Sequence, residues 1–161
     1  MPLLPDITAL KAELGPPRRL LGMDVGEKTI GLALSDLGLM IATPRDTLRR
    51  RKFRDDAAAL VAVIGEANIG ALVVGLPLNM DGSEGPRSQS TRQFVRNLEA
   101  HIDLPVLLWD ERLSTAAVER ELIGLDFSRA RRAEVIDAHA AAYILQGALD
   151  RLRDEGAAGQ K

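Results

Sequence analysis

The chain has no cysteine, two histidines and only 3% aromatic residues in its 161 positions. Without cysteine it can form neither disulfides nor thiolate metal sites, which fits a reducing compartment such as the cytoplasm. The few aromatic residues cannot form the stacking surfaces that bind single-stranded nucleic acid. No apolar run approaches the roughly 20 residues of a membrane span, and the N-terminus lacks the pattern of a secretory signal. We therefore expect a cytoplasmic protein with no membrane partner.

What the sequence does contain is a hairpin followed by alternating strands and helices. Leu20–Asp36 has two apolar runs around the turn Gly26-Glu27-Lys28, which predicts a β-hairpin. A third, irregular strand is expected within residues 39–48, because Pro44 interrupts it. Short buried strands are predicted over 71–76 and 104–109, and helices over 55–67, 86–101, 114–124 and 133–153. This order predicts an α/β fold in which a mixed five-stranded sheet, an antiparallel meander followed by parallel strands, has helices on both faces.

The length and the breaks in the sequence predict one domain with an extension at each end. Residues 1–17 form the N-terminal extension, with a short helix over 6–14 before a glycine and two prolines. Residues 18–153 form the domain, and residues 154–161 form a flexible tail.

Basic residues are unevenly placed although the net charge is only −2. Six of the ten residues from Arg45 to Arg54 are basic, and a second cluster surrounds Arg131. A polyanion responds to charge within a Debye length of about 8–10 Å rather than to the net charge. Both clusters are therefore candidate contacts for a phosphate backbone, and a solvated basic loop is the alternative interpretation. The candidates from these clusters and from the hairpin tip are Lys28, Arg49, Arg50, Arg51 and Arg131.

Acidic residues stand where the parallel strands are expected to end. Asp24 lies near the end of the first strand, and Asp110 and Glu111 follow the last. Because the carboxyl ends of parallel strands meet at one edge of a sheet, we expect these acids to lie together. Asp137, at the start of the last helix, shares a face with small apolar residues, which turns it toward the sheet. Its alternative role is to stabilise the helix N-terminus.

Carboxylates gathered in this way repel one another unless cations neutralise them. Oxygen ligands without cysteine or a convergent histidine are the set that Mg²⁺ or Mn²⁺ prefers. Two such ions about 3.5–4 Å apart are the usual means of hydrolysing a phosphodiester. The residues therefore predict a metal-dependent nuclease in which Asp110 and Glu111 are alternative ligands from the third strand. The metal-ligand candidates are Asp24, Asp110, Glu111 and Asp137.

Four blocks of the sequence resemble the YqgF/RuvX proteins, pre-16S rRNA nucleases that are also described as Holliday-junction-resolvase-like. The blocks are GMDVGEKTIGLALSD at 22–36, VVGLPLNMDGSEG at 73–85, DERLST at 110–115 and VIDAHAAAYIL at 135–145. They lie within residues 18–150 in the order and spacing of the family. One departure is Thr29, where the family commonly has arginine, and it removes a candidate phosphate contact.

The resemblance implies an RNase H-like fold and a metal-dependent nuclease that matures the 5′ end of 16S rRNA in the bacterial cytoplasm. It places the catalytic acids at Asp24, Glu111 and Asp137, with Asp110 adjacent. It also adds three candidate substrate contacts, Asn79, Arg87 and Arg112.

The partners implied are nucleic acid, with pre-rRNA ahead of branched DNA, and ribosomal particles, for a protein that acts as a monomer or a homodimer. A Holliday-junction-type resolvase is the first alternative, and a non-catalytic nucleic-acid-binding module on the same fold is the second. The strand and turn at Asp24-Val25-Gly26 also occur in actin-like ATPases, but those need two domains and this length supplies one.

Overall fold

A computed structural model describes residues 3–14, 16–113 and 129–158, and within the last range the side chains of residues 138–154. The strands are β1 (Leu3–Leu4), β2 (Arg19–Val25), β3 (Thr29–Ser35), β4 (Ala42–Arg49), β5 (Ile69–Leu76) and β6 (Val106–Asp110). The helices are α1 (Ile7–Glu13), α2 (Phe53–Ala67), α3 (Pro86–Leu98) and α4 (Arg129–Ala158), and Glu111–Leu113 form a 3₁₀ turn.

The strands form a mixed sheet in the order β1-β6-β5-β2-β3-β4. β1, β6, β5 and β2 are parallel, and β3 and β4 are antiparallel to their neighbours. The hairpin, the edge position of the third strand and the three expected parallel strands are confirmed. The expected count of five strands is wrong, because Leu3 and Leu4 add a sixth beside Val106 and Leu107. Two residues are too short for the alternation that identifies a strand in a sequence.

The helices agree with the sequence at their centres and differ at their ends. α2 begins two residues before the predicted start, and α3 ends three residues before the predicted end. α4 is longer than predicted at both ends, so residues 154–158 are helical. The helix predicted over 114–124 and residues 125–128 of the basic loop lie outside the described residues. None of the helices that the structure describes is long and apolar enough to cross a bilayer.

Two hydrophobic layers enclose the sheet, one on each face. α1 and α4 cover one face, where they pack on β2, β5 and β6 through side chains such as Leu20, Val73 and Trp109. α2 and α3 cover the other face, where they pack on the alternate residues of the same strands. The expectation of helices on both faces is confirmed, and the side of each strand residue can be assigned from its layer.

Candidate active site

Asp24 lies on the α4 face of β2, near the carboxyl end of the strand. Its neighbours Met23 and Val25 pack in the α2/α3 layer, whereas Leu20 packs in the α4 layer. Because successive side chains of a strand alternate between faces, Asp24 points to the α4 side. The side chain is buried, with 4% of its surface exposed. Burial of a carboxylate costs free energy of folding, so an acid in this position does not serve the stability of the core.

Glycines flank Asp24 on both neighbouring strands. Gly31 is its register partner on β3. On the other side Met23 pairs with Val74, which places Asp24 beside Gly75 of β5. The two strand positions next to the carboxylate are therefore glycines, and neither contributes a side chain to this face of the sheet beside Asp24.

Glu111 lies on the same face as Asp24. A Cβ built on Gly75 would be 3.0 Å from Glu111 Oε1 and 3.2 Å from its Cγ, so the Glu111 side chain lies directly over Gly75. Gly75 is also the strand neighbour of Asp24. The end of β6 therefore brings Glu111 over the glycine next to Asp24, a position that it shares with Ile144 Cδ1 of α4.

Asp110 points to the opposite face of the sheet. It pairs in register with Leu76, which follows the α4-facing Gly75 and so points to the α3 side. Its carboxylate is bound by Arg112, whose Nη2 donates to Oδ2 at 2.7 Å and whose Nε lies 3.1 Å from both oxygens. These hydrogen bonds hold the pKa of Asp110 below its ordinary value and raise the pKa of Arg112. Of the two neighbouring acids, Glu111 is the one that shares the face of Asp24.

The helix that carries Asp137 packs very closely on this face. A Cβ built on Gly22 would be 2.7 Å from Leu145 Cβ and 3.0 Å from the Ala141 carbonyl oxygen. Residue 137 lies one helical turn before Ala141, a rise of about 6 Å. The Asp137 side chain is outside the described set, so its place among the acids stays a prediction. Among the described residues no three His, Asp or Glu side chains form a metal-binding group.

Three of the predicted basic contacts line one cleft on the other side of the β2–β3 turn. Arg50, Arg51 and Arg87 line a cleft of about 460 Å³, together with residues 25–27 of the turn, one of which is the acid Glu27. These turn residues follow Asp24 directly in the chain. The cleft therefore lies next to the acids but on the α3 face, with the end of β2 between them.

Arg50 differs from the other two arginines because its guanidinium is bound within the protein. Its Nη1 donates to the Gly26 carbonyl at 2.7 Å, and its Cζ lies 5.2 Å from the centre of the Phe94 ring. Its Nε is 4.0 Å from Asp56 Oδ2, and Asp56 also accepts a hydrogen bond from the Arg51 backbone N–H. No hydrogen-bond donor in the described part of the chain reaches that Oδ2, which is buried. Arg50 thus fixes the turn after Asp24 to α2 and α3.

We expect Arg50→Ala and Arg87→Ala to separate stability from binding. Arg50→Ala removes the hydrogen bond to Gly26 and the contact with the Phe94 ring, and it leaves buried Asp56 without its cation. The free energy of unfolding, measured with urea, should therefore fall by about 2–3 kcal/mol. Arg87 is exposed, so Arg87→Ala should change stability by no more than about 0.5 kcal/mol. It should instead reduce the salt dependence of binding to a structured RNA by about one phosphate contact. The opposite pattern would make Arg50 the ligand contact and Arg87 the structural residue.

Four of the remaining predicted contacts do not gather in this cleft. Lys28 is exposed at the tip of the β2–β3 turn, and Arg49 is exposed at the end of β4. Asn79 donates its side-chain amide to Ser83 Oγ within its own loop. Arg112 is bound to Asp110 and to the Met80 carbonyl. The side chain of Arg131 lies outside the described residues.

Sequence reasoning did not identify Gly75 and Asp56, which position the acids and the basic cleft. The signal for Gly75 was present: it is a glycine at the end of an otherwise apolar strand, where close approach of another group is common. For Asp56 no signal was available, because an acid in the first turn of a helix is an ordinary surface residue.

Comparisons with known proteins identify the family of the chain. A family model described as RuvX, Holliday junction resolvase, matches residues 18–151. A protein of Bradyrhizobium sp. (strain BTAi1) named as a pre-16S rRNA nuclease is 60% identical over 160 residues, with 99% of this chain and 98% of the relative covered. A protein of Methylocella silvestris with the same name is 59% identical, with 92% of each chain covered.

The fold is also that of a solved resolvase. RuvC of T. thermophilus, in complex with a Holliday junction substrate, aligns with a TM-score of 0.54 at 14% identity, covering 84% of this chain and 96% of RuvC. This likeness confirms the RNase H-like fold that the motifs implied. Because the family model covers most of the chain and relatives near 60% identity span almost all of it, the chain belongs to the RuvX family of nucleases.

Proposed function

We propose that this protein is a Mg²⁺- or Mn²⁺-dependent nuclease that processes the 5′ end of pre-16S rRNA, with Asp24, Glu111 and Asp137 as its acids. The observation that carries the proposal is the placement of Asp24 and Glu111 on one face, at the carboxyl edge of the parallel strands. That edge is where α/β folds bind their ligands. The pairing of Asp110 with Arg112 on the other face supports Glu111 over Asp110 as the ligand from the third strand.

The donor set fits a hard divalent cation. Asp24 and Glu111 offer carboxylate oxygens, which Mg²⁺ and Mn²⁺ prefer over other ligands. A carboxylate as buried as Asp24 attracts a nearby cation more strongly than one at the surface. Gly31 and Gly75 add no side chain of their own beside it, so Glu111 and Ile144 can lie over the Gly75 backbone next to Asp24. When bound, such ions supply an activated water and neutralise charge on the leaving oxygen.

The other residues have the task of positioning the substrate. Arg51 and Arg87 line the cleft on the α3 side and would hold phosphates that flank the scissile one. Arg50 ties the β2–β3 turn, which lines that cleft, to Phe94 of α3. A nucleic-acid strand that crosses the turn then meets positive charge on one side and the acids on the other. This separation lets a negatively charged site accept a polyanion.

Two substrates are in competition. Relatives at about 60% identity are named as pre-16S rRNA nucleases, which favours precursor rRNA. The description of the matching family model, Holliday junction resolvase, favours a four-way DNA junction. A resolvase has to cut two strands symmetrically and therefore needs a dimer, whereas an rRNA nuclease does not.

We expect cleavage of precursor rRNA that carries the 5′ extension to stop when EDTA removes divalent ions, and to return with added Mg²⁺ or Mn²⁺ but not with Ca²⁺. The measurement is a gel-based cleavage assay on that RNA and, in parallel, on a four-way DNA junction. We expect at least a 10-fold higher rate on the RNA.

Each part of the proposal has its own contrary result in this assay. Cleavage that persists in EDTA would contradict the metal dependence. Faster cutting of the junction, together with a dimer in sedimentation experiments, would make the protein a resolvase. Binding of both probes without any cleavage, at every metal tested, would favour the non-catalytic module.

A further inference from the structure

The loop between β5 and α3, residues 77–85, presents one apolar side chain almost entirely to solvent. Met80 is 93% exposed, the highest value among the exposed large hydrophobic residues of the described ranges. The loop begins directly after Leu76 and leaves the sheet at the edge where Gly75 lies beside Asp24. A methionine so exposed adds little to the stability of the fold, and its loop follows directly on the strand end next to Asp24, which makes it a candidate for contact with the substrate.

Hydrogen bonds within the loop hold the residues around Met80 in one turn. Gly82 N–H donates to the Asn79 carbonyl, and Asn79 N–H donates to the Ser83 carbonyl, both at 2.9 Å. Gly82 has a φ of +89°, a conformation that glycine adopts readily. Asp81 Oδ1 accepts hydrogen bonds from the backbone and the hydroxyl of Ser83, at 2.9 and 2.6 Å. The turn is therefore defined by its own polar groups.

Two further contacts attach this turn to the rest of the domain. Arg112 Nη1 donates to the Met80 carbonyl at 3.2 Å, while the same guanidinium is paired with Asp110 at the end of β6. Glu84 forms an ion pair of 2.5 Å with Arg92 of α3. The backbone of Met80 is thus fixed, and only its side chain extends into solvent. Because the backbone is already ordered, only the side chain of Met80 has to lose conformational freedom when it enters a partner.

The charges near the loop tip favour contact with bases over contact with phosphates. Hydrogen bonds from Ser83 hold the pKa of Asp81 below its ordinary value, so Asp81 is ionised at neutral pH. The Arg112 guanidinium at the Met80 carbonyl is already paired with Asp110. The Asp81 carboxylate therefore leaves a net negative charge that repels phosphates, whereas the face of a base is uncharged and apolar. Methionine is one of the side chains that proteins insert between base steps, and its flexible thioether fits irregular gaps.

We propose that Met80 is a wedge that enters between adjacent bases of the substrate and keeps one step unstacked beside the scissile phosphate. The inference rests on the proposed nuclease function and adds a determinant of substrate choice to it. Such a wedge favours nucleic acid whose stacking is already interrupted, at a bulge or at a helix end, over a continuous duplex. Asp110 and Arg112 then act as positioning residues, since they hold the Met80 backbone.

The test uses two RNA duplexes of matching sequence, one with a bulged 2-aminopurine and one continuous. Every protein variant in the test also carries Asp24→Asn, which prevents cutting. We expect the protein with Met80 to raise the 2-aminopurine fluorescence on binding. Met80→Gln, similar in length but polar, should abolish that rise and reduce the preference for the bulged duplex about 10-fold. Met80→Leu should keep both within about 3-fold. The unfolding temperature should not change in either variant, because Met80 is exposed.

Several results would overturn the wedge. One is a fluorescence rise that Met80→Gln leaves intact, and another is an equal loss of affinity for both duplexes, which would mean a contact with the backbone. A third is unchanged RNA binding with weaker cosedimentation with 30S particles, which would assign Met80 to a protein partner. Failure of the nuclease proposal can be told apart from failure of the wedge proposal. If the protein with Asp24 unstacks the bulge but cuts no substrate, the nuclease proposal is wrong and the wedge proposal still holds.

Discussion

Asp24→Asn should reduce the rate of cleavage by at least about 10²–10³-fold, the size typical of removing one charged or polar group that acts on the transition state. Asp24 is 4% exposed, and in such a low-dielectric setting a carboxylate interacts with cations far more strongly than at the surface. Asparagine has nearly the same shape, so the pairing of this position with Gly31 can persist. The measurement is a single-turnover cleavage assay at saturating precursor rRNA and metal, with circular dichroism as the check on folding.

Two neighbouring acids give the matched comparison for Asp24. Glu111→Gln should be nearly as inactive, because Glu111 lies over Gly75 on the same face. Asp110→Asn should lower the single-turnover rate by less than about 10-fold, because its carboxylate is paired with Arg112 on the α3 side. An inactive Asp110→Asn beside an active Glu111→Gln would reverse this assignment. Full activity of Asp24→Asn would show that the acids at this edge do not perform the chemistry.

The contrast between Asp24 and the Asp110-Glu111 pair shows how far the sequence could lead. In β2 the apolar residues Leu21, Met23 and Val25 alternate with Gly22 and Asp24, so the face of the acid follows from the period of a strand. In β6 all residues before Asp110 are apolar, and alternation cannot say which face the next acids take. The answer depends on the 3₁₀ turn at the end of β6 and on the contact with Gly75, which are tertiary features.

The roles of the residues in the basic cluster could not be predicted from the sequence either. In the sequence, residues 49–52 are four consecutive basic residues that nothing distinguishes from one another. In the fold Arg50 is bound to Gly26, Phe94 and Asp56, while Arg51 lines the open cleft. Charge patterning locates such a patch but does not tell which member is structural, because that depends on residues from α2 and α3 that lie up to 44 positions away. Likewise the two residues of β1 acquire their role only from the edge of β6.

Gly22→Ala should be strongly destabilising for a change of a single methyl group. The added Cβ would lie 2.7 Å from Leu145 Cβ and 3.0 Å from the Ala141 carbonyl oxygen, and neither atom is the free end of a flexible side chain. α4 therefore has to move away from β2, at a cost of about 3 kcal/mol in the free energy of unfolding. For a chain of this size the unfolding temperature should fall by about 6–12 °C. Calorimetry measures this change directly.

The same displacement should also reduce activity, since α4 carries residue 137. A shift of about 1 Å in a catalytic group can cost about 10²-fold in rate, even when the fold survives. Cleavage by Gly22→Ala should therefore be measured well below its unfolding temperature, where the variant is folded and only the position of α4 differs. Retention of the full rate there would show that the site does not depend on the close packing of α4, and would weaken the assignment of Asp137.

Gly65→Ala is the matched control for this argument, because it adds the same methyl group where space is open. Gly65 lies inside α2, and a Cβ there would have no atom outside its own neighbourhood within 4 Å. Alanine stabilises a helix interior relative to glycine by about 0.5–1 kcal/mol, so this variant should unfold at a slightly higher temperature and cleave at the normal rate. The two substitutions should thus have opposite signs. A loss of stability in both would mean that the cost at Gly22 does not come from the contact between β2 and α4.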